Sequence, residues 1–276
     1  MNQPSITIIT PVYNGEKFIE SCIANVAAQG CVQTEHLIID GMSTDKTVAI
    51  TAALAHKHDR LRWISERDAG QSAAMNTGIA HARGSILGFL NVDDYYLPGT
   101  LQRIVEIFKD LQEPSFCYAK LRVVGDGKQD CGVHTPAEMT LRNLLLGLPY
   151  PINPVAYFYH KSLHELTGPY DVADHYAMDL DFLYRASMHA KLRFFDETWG
   201  VFRFIEGTKT KDDLHSGQMW ERQALLKERY LQYLSRPQRG WLHARRLQQR
   251  LVRGLLRRLP SSSKVAGGSR PASSVH

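Results

Sequence analysis

The chain has 276 residues, 43% apolar and 22% charged, which is ordinary globular material, long enough for one large α/β domain plus an appendage. Its four cysteines, Cys22, Cys31, Cys117 and Cys131, show no CxxC spacing, which argues against a zinc site or a disulfide framework and for reduced thiols. The net charge of +5 conceals a division: eleven basic and no acidic residues follow Glu228, so residues 1–228, with 22 basic and 28 acidic side chains, carry −6.

Ser5 to Thr10 is β-branched and apolar throughout, the pattern of a central strand, and no signal peptide or twenty-residue apolar span precedes or follows it. A cytoplasmic location is therefore expected. The Pro11-Val-Tyr13-Asn14-Gly15 break leads to a helix over Glu16 to Gln29, with apolar residues at helical spacing. His36 to Asp40 repeats the strand, and Ser43 or Thr44 is placed to cap the next helix, with Asp45 favourable in its first turn. A short strand over Leu61 to Ser65 is followed by Asp68 and a helix over Ser72 to Ala82, rich in small residues that permit close backbone approach.

Gly84 to Gly99 is the most informative stretch. Ile86 to Leu90 forms an apolar run of the kind buried on both faces of a parallel sheet, and Asn91, Asp93 and Asp94 arrive where it must stop. The strand-to-loop junctions thus set Asp40, Asp68 and the Asp93-Asp94 pair along one sheet edge, where open α/β sheets bind ligands. Adjacent carboxylates without a neighbouring Lys or Arg call for a cation, and a divalent metal bridging a phosphate is the reading taken over a solvated turn closed by Pro98-Gly99.

The second half is less periodic. Helices are predicted over Leu101 to Leu111, Met139 to Leu148 and Lys161 to Thr167, with another opening at Tyr176 and continuing through Arg185. Strands are predicted over Phe116 to Val124, Cys131 to His134, Pro154 to Tyr159, Leu192 to Phe195 and Gly200 to Ile205.

The blocks ITIITPVYN, LIIDGMSTDKT, ISERDAGQSAAMNTGIAHARGSILGFLNVDD and YDVADHYAMDLDFLYR resemble, in order and spacing, those of the family 2 glycosyltransferases, over roughly residues 4–205. The resemblance implies the GT-A fold, an α/β domain with a central, mostly parallel sheet flanked by helices and carrying a C-terminal helical appendage. It further implies inverting transfer of a sugar from a nucleotide diphosphate, with a family-level lean to UDP, to an acceptor hydroxyl, with Mn²⁺ or Mg²⁺ on the diphosphate. The acceptor would be a saccharide, lipid-linked or growing, in surface polysaccharide assembly.

Matched position by position, Pro11, Tyr13 and Asn14 would line the nucleoside pocket, Asp40 would accept from the base, and Asp68 would flank base and ribose. The family's Asp-x-Asp begins here with Asn91, suited to a ribose hydroxyl but a weak ligand for a hard cation, so the metal would rest on Asp93, with Asp94 behind it or in a turn. The family block places the catalytic base at Asp179 and leaves Asp181 to local pairing. Residues two apart on a helix diverge, so both cannot face one site, and Arg185 is read as an ion-pair partner. Arg203 and Lys209 are positioned to contact diphosphate.

The expected organisation is a catalytic domain over residues 1–210, its nucleotide half about 1–100 and its acceptor half about 101–210. A basic amphipathic helical extension over 211–260 and a low-complexity, disordered tail over 261–276 follow. Leucines and arginines alternate in faces over residues 240–259, the signature of an interfacial helix, which places the protein peripherally on the inner face of the plasma membrane; the bland alternative is a helix packed on the domain or on a second subunit. A regulatory nucleotide-sugar sensor with a nucleic-acid-binding tail is the competing class. The tail lacks aromatic interleaving and the body lacks a reader motif, so no nucleic acid is expected. A nucleotidyltransferase or dehydrogenase would need a glycine-rich phosphate loop after the first strand, which Pro11 to Lys17 is not.

Overall fold

A computed structural model describes residues 5–125, 129–174, 177–206 and 217–256. In chain order the elements are β1 (Ile6–Val12), α1 (Ile19–Ala28), β2 (Thr34–Asp40), α2 (Thr47–Ala55), β3 (Leu61–Ser65), α3 (Gln71–His81), β4 (Ile86–Phe89), β5 (Tyr95–Tyr96), α4 (Thr100–Phe108), β6 (Ser115–Gly125) and β7 (Asp130–His134). They continue with α5 (Leu141–Leu146), a 3₁₀ turn (Pro154–Ala156), β8 (Tyr157–His160), α6 (Leu163–Thr167), α7 (Met178–His189), β9 (Lys191–Phe204), α8 (Gln218–Leu231) and α9 (Arg236–Leu256).

One sheet runs in the order β3-β2-β1-β4-β8-β6-β9-β5, with β7 beside β6. β1 to β4 are mutually parallel, and the apolar runs of β1 and β4 follow from burial on both faces, while β3 is the edge strand. β8 pairs antiparallel with β4 and β6, and β9 runs parallel to β6, so the second half is mixed. Side-chain alternation divides the interior. Cys117, Ala119, Leu121 and Phe158 join Ile6, Ile8, Cys22, Leu101 and Ile104 in one cluster. Phe116, Tyr157 and Tyr159 point the other way, into an aromatic layer with Tyr170 and Phe182. The small-residue helix is α3: a Cβ on Gly78 would lie 2.4 Å from Ile9 Cγ2, so only glycine lets α3 approach β1 this closely.

Several expectations shift. α2 begins at Thr47, and neither Ser43 nor Thr44 caps it; Asp45 Oδ1 takes the Thr47 backbone N–H at 2.9 Å, while the Ser43 hydroxyl is turned to Asp40. The strand expected from Pro154 starts as a 3₁₀ turn, because the Asn153 side chain accepts the Val155 N–H at 2.8 Å. The two strands expected after α7 are one, β9, whose register against β6 shifts around Lys120. Tyr95–Tyr96 was not foreseen as a strand; Asn25 holds the Tyr96 backbone on both sides, and β9 pairs with it. The four cysteines are free thiols.

The chain divides into two compact units, residues 1–233 and 234–276. α8 therefore belongs to the first, whereas the sequence reading placed everything after residue 210 in an extension. Tyr230 accounts for this, stacking on Tyr184 at 4.5 Å and donating to Asp181 Oδ1 at 2.8 Å. The second unit holds α9, in which Arg245 lies over the Trp241 ring and donates to Gln248, and Trp241, Leu247 and Leu251 are exposed. Among the described residues no helix is long and apolar enough to cross a membrane. The expected tail over 261–276 and the end of the amphipathic stretch at 257–259 lie outside the described residues.

Candidate active site

The carboxyl ends of β1, β2 and β3 are clipped together by short polar side chains. Pro11 is in register with Ile39 at the end of β1, and Tyr13 projects, 63% exposed. Asn14, at φ 52°, donates its backbone N–H to the Ser43 hydroxyl at 2.7 Å and accepts the Thr44 N–H on its side chain at 2.8 Å. Met42, at φ 61° and exposed, is the other non-glycine residue in the left-handed region among those described. Two strained residues in facing loops at one sheet edge are a feature of ligand sites, where the surrounding structure over-determines the backbone.

Asp40 is buried and engaged at both oxygens: Ser43 Oγ donates to one at 2.5 Å, and Ser65 Oγ and the Ser43 N–H donate to the other at 2.6 and 3.1 Å. Asp68 accepts the Gly70 N–H and folds over Gly41, where a Cβ would meet its Oδ2 at 2.9 Å. Ser43, Ser65 and Gly41 thus position the two acids. The sequence reading passed over Ser65 and Gly41 in this role, because nothing local marks them.

At the end of β4 the acidic loop splits its two carboxylates by role. Asp94 is buried and accepts three donors: the Arg203 backbone N–H at 2.8 Å, the Asn153 amide at 2.8 Å and the Asn91 amide at 3.1 Å. Burial, and then the neighbouring Asp93 charge, push its carboxyl up to about 7 against those donors. Asp93 is half-buried and raised by desolvation, opposed by Arg203, whose guanidinium lies over the Phe18 ring at 5.0 Å. Asn153 was the residue missed here, its partner being 59 positions away in sequence.

This donor set tests what cation it could hold. Among the described residues no three His, Cys, Asp or Glu side chains converge on one point, so these residues do not by themselves cage a cation. One carboxylate at Asp93, with Asp94 occupied in bracing the loop, does fit Mg²⁺ or Mn²⁺ bound through one carboxylate together with substrate phosphates and water.

α7 approaches this edge through α3. Ser72 at the start of α3 meets Met178 Sδ at 2.6 Å, and Gln71 beside it reaches Asn91 at 3.4 Å, so the first turn of α7 and the acidic loop share one support. Asp179 opens α7 half-buried, close enough for its charge to be felt by Tyr150, Tyr157 and Tyr170. Asp181 points elsewhere, accepting from Arg185 Nε at 2.8 Å as well as from Tyr230. Lys209 lies outside the described residues.

Known proteins agree with this architecture. The uncharacterized glycosyltransferase EpsJ of Bacillus subtilis is 37% identical over 103 residues, 37% of this chain and 30% of that protein, so the chain matches about a third of this relative's length. The crystal structure of S. aureus TarS 1-349 in complex with UDP-GlcNAc superposes with a TM-score of 0.62 at 21% identity, covering 75% of this chain and 60% of that one. The mannosyltransferase PcManGT from Pyrobaculum calidifontis, in complex with GDP-Man and Mn²⁺, gives 0.61 at 17% identity over 89% and 70%. The fold is that of these glycosyltransferases, the GT-A fold. The model of glycosyl transferase family 2 matches residues 7–167, more than half of the sequence, and the chain belongs to that family.

Proposed function

We propose that this protein is an inverting glycosyltransferase that moves a sugar from a nucleotide diphosphate, UDP in the first instance, to the hydroxyl of a saccharide or lipid-linked acceptor. The observation that carries the reading is the support shared by the acidic loop and the first turn of α7, through Gln71–Asn91 and Ser72–Met178. It supports reading Asp93 and Asp179 as parts of one site. TarS with UDP-GlcNAc and PcManGT with GDP-Man and Mn²⁺ support the donor class and the metal.

In this reading Pro11, Tyr13 and Asn14 line the nucleoside pocket, with Asp40 and Asp68 facing the base and ribose and Asn91 hydrogen-bonding a ribose hydroxyl. Asp93 would hold Mn²⁺ or Mg²⁺, whose charge would offset that of the departing diphosphate. Asp179 takes the proton of the acceptor hydroxyl as that oxygen bonds to the anomeric carbon and the bond to the diphosphate breaks. Attack from the face opposite the leaving group inverts the centre. Of the two residues expected at the diphosphate, Lys209 keeps that role in this reading. The exposed apolar side chains of α9 and its excess of arginine suit the surface of an anionic bilayer, which would hold the enzyme peripherally on the cytoplasmic side beside a lipid-linked acceptor.

The test is UDP binding with and without Mn²⁺ in wild type and Asp93→Asn. Metal-dependent affinity should fall tenfold or more in the variant, because the amide removes the principal hard oxygen charge at a site that already has Asn91 in place of an acid. Full retention of Mn²⁺-dependent binding overturns the metal assignment.

A further inference from the structure

Beyond the acidic loop, on the flank away from Asp40 and Asp68, an open cavity of about 450 Å³ is lined by Tyr95, Arg122, Val124, Asp130 and Arg203. Its walls follow from strand alternation. Leu121, Val123, Phe202 and Phe204 face the core, so Arg122, Val124 and Arg203 face outward. The register sets them side by side: Val124 pairs with Arg203 and with Asp130, while Arg122 and Tyr95 both pair with Val201. All five therefore sit on strands of the sheet, Val124 and Asp130 at the point where the β6–β7 register shifts.

The charges do not cancel. Arg122 and Asp130 form a pair at 2.5 Å, both about half exposed, and Arg203 adds a second guanidinium to the lining, its charge also acting on Asp93. Arg203 is anchored at two points, its backbone N–H on Asp94 and its guanidinium over the Phe18 ring. Tyr95, 38% exposed, offers an aromatic face and a hydroxyl beside it. An aromatic face, a small apolar wall and two guanidinium groups make a site for a ring with one apolar face and an anionic substituent. The volume lies in the range of small-molecule sites, roughly 300–1,000 Å³.

Position separates this cavity from the donor. Along the sheet the expected nucleoside pocket is at β1–β3, the acidic loop follows β4, and the cavity is at β6–β9–β5, on the far side. Tyr95 is two residues from Asp93, so their Cα atoms lie within about 7 Å of one another.

We infer that this cavity is the acceptor subsite and that it selects an acceptor saccharide carrying a carboxylate or phosphate, held by Arg203 and Arg122 with its ring against Tyr95. This rests on the reading of the chain as a glycosyltransferase and names the acceptor class for it. An incoming anion displaces Asp130 from Arg122, an exchange of one exposed partner for another.

The test is titration of the full chain with glucuronic acid, glucose 6-phosphate and glucose, each with and without saturating UDP and Mn²⁺, followed by calorimetry or ligand-observed NMR. At least one of the two charged sugars should bind tenfold or more tightly than glucose, and UDP should not displace it; which of them binds identifies carboxylate or phosphate as the group. Arg122→Ala should weaken that binding about tenfold and Arg122→Lys should restore part of it, with Tyr95→Ala weakening it independently. Equal affinity for glucose, no effect of Arg122→Ala, or full displacement by UDP each overturns the assignment. UDP binding is read in the same titrations. Its failure alone overturns the donor reading, and failure of the charged sugars alone overturns the subsite.

Discussion

Replacing Asp181 by Asn should unfold the protein more readily and leave the chemistry nearly intact, whereas the same change at Asp179 should do the reverse. The Asp181 side chain is 7% exposed and that of Arg185 16%, with Nε and Nη2 of Arg185 both 2.8 Å from one carboxylate oxygen and Tyr230 on the other. Removing one member of a buried pair costs roughly 3–5 kcal/mol. Arg185 keeps the carbonyls of Thr167, Gly168 and Pro169, and the new amide still offers one acceptor, so the low end, about 3 kcal/mol, is expected. For a domain of this size that lowers Tm by roughly 6–12 °C. A double variant, Asp181→Asn with Arg185→Met, should recover part of the loss by removing the stranded charge. Asp179→Asn should shift Tm by no more than about 3 °C, since the residue is half-buried, and lower transfer about a hundredfold or more with donor affinity held. Thermal unfolding and acceptor-dependent transfer on the same preparations make the comparison. If Asp181→Asn abolishes transfer at an unchanged Tm while Asp179→Asn transfers normally, the base has been placed two residues out.

Gly41→Ala puts a methyl 2.9 Å from Asp68 Oδ2 and should push that carboxylate aside, weakening UDP binding about tenfold with little change in Tm; undiminished UDP affinity would remove Asp68 from the pocket. Burial holds His36 at about 3 and His164 at about 4, both below the unfolded value near 6.5. Their neutral forms therefore contribute stability that is present above about pH 6.5 and lost as pH falls toward those values, with a slope of about 1.4 kcal/mol per pH unit for each histidine. Urea titrations from pH 7 to 5 should show a slope shallower by about one proton in His164→Asn, and an identical slope would place the acid sensitivity elsewhere. Changing Trp241, Leu247 and Leu251 together to Ser should release the protein from phosphatidylglycerol vesicles while leaving UDP binding in place; unchanged sedimentation with vesicles would point α9 toward another partner.

What could be read in advance was local. β1 and β4 carry their burial in their own composition, and the abrupt change from Leu90 to Asn91 and Asp93 marked the acidic loop without any partner in view. The family blocks extended the reading to the opening of α7. What escaped depends on residues distant in sequence. Two residues cannot signal a strand, and Tyr95–Tyr96 is one because Asn25 and β9 hold it. Asn153 signals only a turn before Pro154; its bond to Asp94 exists because β8 returns beside β4. The interruption read between two strands was Asp196 to Trp199, polar and irregular in sequence, yet β6 carries β9 through it by shifting register. Helix α8 looked like the beginning of an appendage because nothing in its amphipathic pattern says that Tyr230 meets Asp181.

Asp94 has a further consequence for its neighbour. One carboxylate fastens the acidic loop to β9, to the turn before β8 and to the loop's own first residue, so the peptide beside Asp93 is tied at three points without any ligand. Ordering a loop residue costs about 1–2 kcal/mol of backbone entropy, and here that cost is met during folding and not when substrate arrives. In the proposed reading Asp93 is the one carboxylate among the described residues offered to a cation, so arriving preordered would help that site to bind. Loosening Asp94 should then weaken metal-dependent UDP binding even with Asp93 unchanged.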